Sequence, residues 1–126
     1  MVEMHPETAE LRQNFIKTFA VEASEWNSRK HDAPRPENDD DYWWECKAKW
    51  SICAEAETLV EKADTSGTPG EYIVRIRKMF SDQAWGSTGN WGSSSQYGAT
   101  SLVKDRLNRV IADSAKTADN GRVEAV

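Results

Sequence analysis

The sequence predicts an all-α fold, a four-helix bundle-like single domain of residues 1–126. Apolar residues recur at spacings of three and four in four segments, which is the period of a helix face. Clusters of Gly, Pro, Ser and charged residues separate these segments and mark the connections. A chain of 126 residues is long enough to bury one core without disulfides. We expect a flexible tail at about residues 117–126, where no pattern is visible.

The first helix is predicted by one apolar face. It consists of Leu11, Phe15, Phe19, Ala23 and Trp26, which follow one another at intervals of four, four, four and three and so share one side of a helix. Pro6 suits a first turn, and we expect the helix to run from about residue 6 to residue 28. The stretch 29–38 that follows is charged and contains two prolines, which indicates a semi-extended connector.

The second helix, expected from Asp41 to Ala63, is the richest core element. Two apolar stripes run along it, so we expect neighbours on two sides and a central place in the bundle. The stripes are Trp43, Cys46, Trp50, Cys53 and Val60, and Trp44, Ala48, Ile52, Ala56 and Leu59. The acids of 38–41 just before it are typical of an N-cap and first turn, with a cation site as the alternative.

The third helix has the most specific start signal. Thr68, Pro69 and Glu71 fit a capping box with proline in the first turn. Alternation of apolar and basic residues over 72–77 also allows a strand, but the capping box and the continuation to Met79 and Phe80 favour a helix.

A long loop is predicted over 85–98, because four glycines and a run of serines interrupt any periodicity there. Thr100 or Ser101 then caps a last helix that should end near Lys116. Loops of this length are often functional. The alternative is that its tryptophans fold back over the bundle and the loop merely connects.

Charge is unevenly distributed along the chain. Residues 1–64 carry 15 Asp or Glu against 8 Lys or Arg, and residues 65–126 carry 6 against 8. The acidic first half argues against direct nucleic-acid binding, which requires clustered cations. The basic second half leaves room for a local anion site.

No catalytic group, metal site or cofactor is predicted. Cys46 and Cys53 lie seven residues apart in one helix, about 10 Å at a rise of ~1.5 Å per residue, which is too far for a bridge. We therefore expect reduced, buried thiols and a cytoplasmic protein. His5 and His31 lie in a terminus and a polar connector, where nothing orients them as a base. No signal peptide or membrane span is visible, so we expect no membrane contact.

The leading hypothesis is a non-enzymatic binding protein that engages a partner protein or a small anionic ligand. Residues 80–98 and nearby basic side chains would form the site, since aromatic rings stack on planar groups and cations attract anions. The candidate binding residues are Arg75, Arg77, Phe80, Trp85, Asn90, Trp91, Tyr97, Lys104, Arg106 and Arg109.

Two other functions remain open. The acids Glu37, Asp39, Asp40, Asp41 and Glu45 could imitate nucleic acid and inhibit a nucleic-acid-handling protein. Glu22 and Glu25, with Glu55, Glu57 or Glu61, could hold Mg²⁺ in a nucleotide hydrolase of helical type. The binding protein of the leading hypothesis could also self-associate through its tryptophan-rich second helix.

Overall fold

Four helices make up the computed structural model, which describes residues 5–32, 41–86 and 93–124, with the backbone alone at 41, 93 and 116–124. They are α1 (Pro6–Asp32), α2 (Asp41–Lys62), α3 (Pro69–Asp82) and α4 (Ser93–Glu124). The all-α, bundle-like fold is confirmed, and the strand alternative for 72–77 is wrong. None of these four helices has a stretch long and apolar enough to cross a bilayer.

The core lies between α1, α2 and α4, and α3 covers one side of it. As predicted, α2 is central: its most extensive contact is with α1, and it also contacts α4 and α3. By contrast, α3 and α4 approach each other least, which leaves a groove between them. The largest fully buried side chains include Phe15, Phe19, Ile52 and Tyr72.

The core stripes predicted for α2 are confirmed in part. Cys46, Cys53 and Val60 are fully buried, as are the small residues of the second stripe. Trp43 and Trp44 are only half-buried and lie outside the core cluster. The indole rings at the start of α2 therefore belong to the surface as much as to the core.

An aromatic ladder fixes α3 against α1. The ring centroids of Phe15 and Tyr72 lie 6.2 Å apart, and those of Phe19 and Phe80 lie 5.7 Å apart. Phe80 then meets Trp85 edge-on at 5.2 Å. Each such pair contributes roughly 0.5–1.5 kcal/mol beyond the burial of its area. The ladder thus holds α3 and the start of the following connection in place.

The start of α3 matches the predicted capping box. The backbone N–H of Glu71 donates to Thr68 Oγ1 at 3.3 Å, and Glu71 Oε1 accepts from the backbone N–H of Thr68 at 3.5 Å. Gly67 just before it has φ +90°, a conformation that favours glycine. The buried Thr8 of α1 donates its hydroxyl to the Gly67 carbonyl at 3.0 Å, so the turn is tied to α1.

The helix ends differ from the sequence expectation at two places. Residues 29–32 continue α1, so the expected connector does not begin at Arg29; its remainder, 33–38, lies outside the described residues. Similarly, α4 begins at Ser93 and continues to Glu124, so neither the cap at Thr100 or Ser101 nor the end near Lys116 is correct. Residues 93–98, expected as loop, form the first turns of α4.

Tertiary contacts explain the early start of α4. Ala99 is fully buried, and the chain at Gly98 lies near the aliphatic part of Lys49 on α2. Gln96 donates its side-chain amide to the Trp85 carbonyl at 2.7 Å. These contacts compensate for the glycine, which lowers helix stability by about 1 kcal/mol relative to alanine.

Replacing Tyr72 tests the packing of α3. Its hydroxyl is buried with no hydrogen-bond partner among the described residues, and burial raises the pKa of Tyr72 to about 12. Since a buried unpaired hydroxyl is unfavourable, we expect Tyr72→Phe to leave the free energy of unfolding unchanged or to raise it by up to about 1 kcal/mol in urea denaturation.

Thr8→Val is the control, because it removes a buried hydroxyl that does have a partner. It should lower the free energy of unfolding by about 1 kcal/mol. A larger loss for Tyr72→Phe than for Thr8→Val would contradict the described packing.

Candidate functional site

The groove between α3 and α4 brings together four of the ten predicted binding residues. Its volume is about 320 Å³. Arg77, Phe80, Trp85 and Lys104 line it, as do three residues that sequence reasoning did not select: Ser81, Leu107 and Asn108. Ser81 lies four residues beyond Arg77 on α3, and Asn108 lies four residues beyond Lys104 on α4. Because residues four apart share a helix face, this spacing could have identified both as candidate groove residues.

An aromatic floor lies between two cationic rims in this α3–α4 groove. Phe80 and Leu107 are almost fully buried, so each offers only an edge to the groove. Arg77 and Lys104 are exposed on opposite helices. Because the seven lining residues include no carboxylate, the positive charge of the rims is not compensated within the groove.

Trp85 is fixed at this groove by its backbone and its ring. Its indole N–H donates to the Phe80 carbonyl at 3.0 Å. The next residue, Gly86, is buried with φ 68° and donates its N–H to Glu55 at 2.9 Å. The Trp85 ring therefore folds back on the bundle, as expected if residues 85–98 were only a connection. The same ring also lines the α3–α4 groove.

The other predicted binding residues lie elsewhere. Arg75 donates to the Asp64 carbonyl at 2.8 Å and lies 3.8 Å from Glu71, so it supports the turn before α3. Tyr97 is 76% exposed and lies two turns before Lys104 on the same side of α4, outside the groove. Asn90 and Trp91 lie outside the described residues.

Arg106 and Arg109 face a separate groove between α1 and α4, of about 480 Å³. Arg106 Nε donates to Glu22 Oε1 at 2.6 Å, and both side chains are mostly buried. This bond raises the pKa of Arg106. The indole N–H of Trp26 donates to the other Glu22 oxygen at 3.2 Å. Glu22, a candidate Mg²⁺ ligand by sequence, instead joins α1 to α4.

The charges of this second groove compensate one another. Lys17, Arg106 and Arg109 line it together with Glu22 and Asp113. Arg109 also lies 3.4 Å from Asp105, which in turn accepts from Arg106 at 2.6 Å. Two of the three cations of the larger groove, Arg106 and Arg109, are thus paired with carboxylates, whereas Arg77 and Lys104 of the α3–α4 groove have no ion pair among the described residues.

Both cysteines are free and buried, as predicted. Burial raises the pKa of Cys53 to about 12 and also raises the pKa of Cys46. Both thiols therefore stay protonated at neutral pH, and their role is packing in α2.

No protein-family model, curated protein or solved structure matches this chain. The function of the two grooves is therefore inferred from their lining residues, charges and hydrogen bonds.

A double-mutant cycle tests the assignment of Glu22 and Arg106 to structure. Glu22→Gln and Arg106→Gln should each destabilise the fold, and the two effects should be coupled by roughly 1–3 kcal/mol because the pair is largely shielded from water. Urea denaturation of the two single variants and the double variant measures this coupling.

The exposed pair Asp105 and Arg109 gives the matched control, with both side chains about 60% exposed. Its coupling should be close to zero, since solvent screens it. Additive effects at Glu22 and Arg106 would show that the ion pair does not join the helices.

Proposed function

We propose that this protein is a non-enzymatic binding protein whose α3–α4 groove receives an acidic segment of a partner protein. The observation that carries the proposal is the groove itself: an aromatic and aliphatic floor between Arg77 and Lys104, two cations that have no ion pair among the described residues. A segment with apolar side chains flanked by Asp or Glu matches both features.

The shape of the site favours a polypeptide over a small anion. An open groove between two helices suits an extended or helical segment, which can place an apolar side chain on the floor and carboxylates at both rims. A small anion would pair with the cations and would not contact the groove-facing edges of Phe80, Trp85 and Leu107.

The rigidity of the floor also supports binding. Phe80 is held by the rings of Phe19 and Trp85, and the Trp85 indole N–H is already bonded to the backbone. Little conformational entropy would be lost there when a partner binds. The exposed cations would contribute mainly to orientation and to the rate of association.

The other two functions gain no specific support. For the hydrolase, Glu22 is bonded to Arg106 and Trp26, and within 5–32, 41–86 and 93–124 no three His, Cys, Asp or Glu side chains form a metal-binding group. For the nucleic-acid mimic, Glu37, Asp39 and Asp40 lie outside the described residues, and Glu45 is paired with Lys49 at 2.6 Å. That hypothesis stays a prediction.

A titration with two synthetic amphipathic peptides tests the proposed function. Both would carry the same apolar residues, with Glu at the polar positions of one and Lys at those of the other. In ¹⁵N–¹H spectra, the Glu peptide should shift the amide signals near Arg77 and Lys104 and the indole N–H signal of Trp85. The Lys peptide should leave them unchanged, because it meets like charge.

Variants of equal charge locate the site. The double variant Arg77→Gln with Lys104→Gln should weaken binding of the Glu peptide about tenfold. The reason is that each exposed ion pair with the peptide contributes about 1 kcal/mol or less to the binding free energy. Arg109→Gln with Lys17→Gln removes the same charges from the α1–α4 groove and should have little effect. Equal losses in the two double variants, or equal binding of both peptides, would refute the proposal.

A further inference from the structure

A second surface forms where the end of α1 meets the start of α2. Four tryptophans and four cations lie together there, and we call them the tryptophan–cation patch. Its members are Trp26, Arg29 and Lys30 of α1, and Trp43, Trp44, Lys47, Lys49 and Trp50 of α2.

Cations lie over every ring of the patch. Trp26 has the Arg29 guanidinium 4.4 Å and the Lys49 ammonium 4.2 Å from its centroid. Lys30 lies 4.3 Å from the centroid of Trp50. Energetically significant contacts of this kind occur roughly once per 70–80 residues in proteins. Their density here indicates a built surface.

Trp43 and Trp44 continue the patch along α2. Lys47 lies 5.3 Å and 5.2 Å from the centroids of these two rings, and Lys30 lies 5.9 Å from the first. Trp43 and Trp44 meet edge-on at 4.8 Å and are half-buried. The repeated unit is therefore a partly exposed indole with a cation at its face.

The side chains of the patch offer positive charge and hydrogen-bond donors but few acceptors. Lys, Arg and Trp side chains offer hydrogen-bond donors and no strong acceptor. Among the described residues, Lys49 is paired with Glu45 at 2.6 Å, and the other three cations of the patch form no ion pair. The patch also contains four of the eight Lys and Arg in residues 1–64. The fold thus gathers positive charge in the half of the chain that is acidic by count.

We propose that the tryptophan–cation patch binds single-stranded nucleic acid. A nucleotide has a planar base beside a negatively charged phosphate, so it can bind the indole and the cation together. The base would displace the cation from the ring and stack on the indole, and the phosphate would pair with that cation. A polynucleotide repeats this combination along its length, as the patch repeats its indoles and cations.

Other anions match the patch less well. An acidic peptide would pair with the cations and leave the indole rings exposed, so it would lose the cation–ring contacts without replacing them. The overall charge of -5 opposes any polyanion at long range. Binding should therefore be strongest at low ionic strength and should weaken steeply with salt.

Fluorescence anisotropy with a labelled oligothymidylate of about 12 nucleotides tests the proposal, since sites of roughly this size suit one small domain. The wild-type protein should bind it at low ionic strength. An abasic deoxyribose-phosphate chain of the same length carries equal charge without bases, and it should bind about tenfold or more weakly, because stacking contributes roughly 1–3 kcal/mol per base.

Paired variants locate the binding surface. Lys30→Gln with Lys47→Gln should weaken binding of the oligothymidylate about tenfold and reduce its salt dependence. Lys62→Gln with Lys78→Gln removes equal charge outside the patch and should have little effect, and circular dichroism checks that all variants are folded.

Three results would overturn the proposal: no binding by the wild-type protein, equal binding of the abasic chain, or equal losses in the two double variants. Displacement of the oligothymidylate by poly-glutamate at the same charge concentration would likewise reject it in favour of an acidic polypeptide. The comparison of the two chains uses only the wild-type protein, so it does not depend on the folding of any variant.

Discussion

The aromatic ladder from α1 to Trp85 is the interaction on which the rest of the structure depends. Phe15 and Phe19 lie one helical turn apart on α1, and they receive Tyr72 and Phe80 of α3. Their spacing sets how α3 lies on the bundle and where it ends. Because Phe80 is the last rung on α3 and Trp85 packs on it, the ladder also forms the floor of the α3–α4 groove. The same aromatic contacts therefore hold α3 on the bundle and form the candidate site.

Polar contacts then determine which cations are available to a partner. Arg106 is paired with Glu22, and Arg75 is bonded to the turn before α3, so both support the fold. Arg77 and Lys104 face a groove without carboxylates. The cations of the tryptophan–cation patch lie instead on indole faces, which hold them in place without neutralising them, and Lys49 alone among them is also paired with a described carboxylate, that of Glu45. The negative net charge of the chain therefore does not indicate the two positive surfaces, the α3–α4 groove and the tryptophan–cation patch.

Much of the fold could be predicted from local sequence signals. Intervals of three and four identified α1, α2 and α3, and the capping box located the first turn of α3. The start of α4 could not be predicted in this way, because Gly98 and the preceding serines are typical of a loop. Burial of Ala99 and the bond from Gln96 to the Trp85 carbonyl stabilise that turn, and both depend on distant parts of the chain.

The candidate site was predictable only in part for the same reason. Arg77, Phe80, Trp85 and Lys104 were selected by type and position, and the fold brings them together. The bond between Glu22 and Arg106 joins residues 84 positions apart, so no local pattern could show that this arginine is not available for binding. The tryptophan–cation patch was missed because Lys30 and Trp50 become neighbours only when α1 and α2 pack.

Nuclear Overhauser effects among the aromatic side chains test the central claim most directly. In a selectively labelled sample of the wild-type protein, Phe80 ring protons should show cross-peaks to both Phe19 and Trp85, and Phe15 should show them to Tyr72. The Trp85 indole N–H should also exchange slowly with solvent, since it is bonded to the Phe80 carbonyl. A freely exchanging Trp85 indole without cross-peaks to Phe80 would show that the ladder does not form the groove floor.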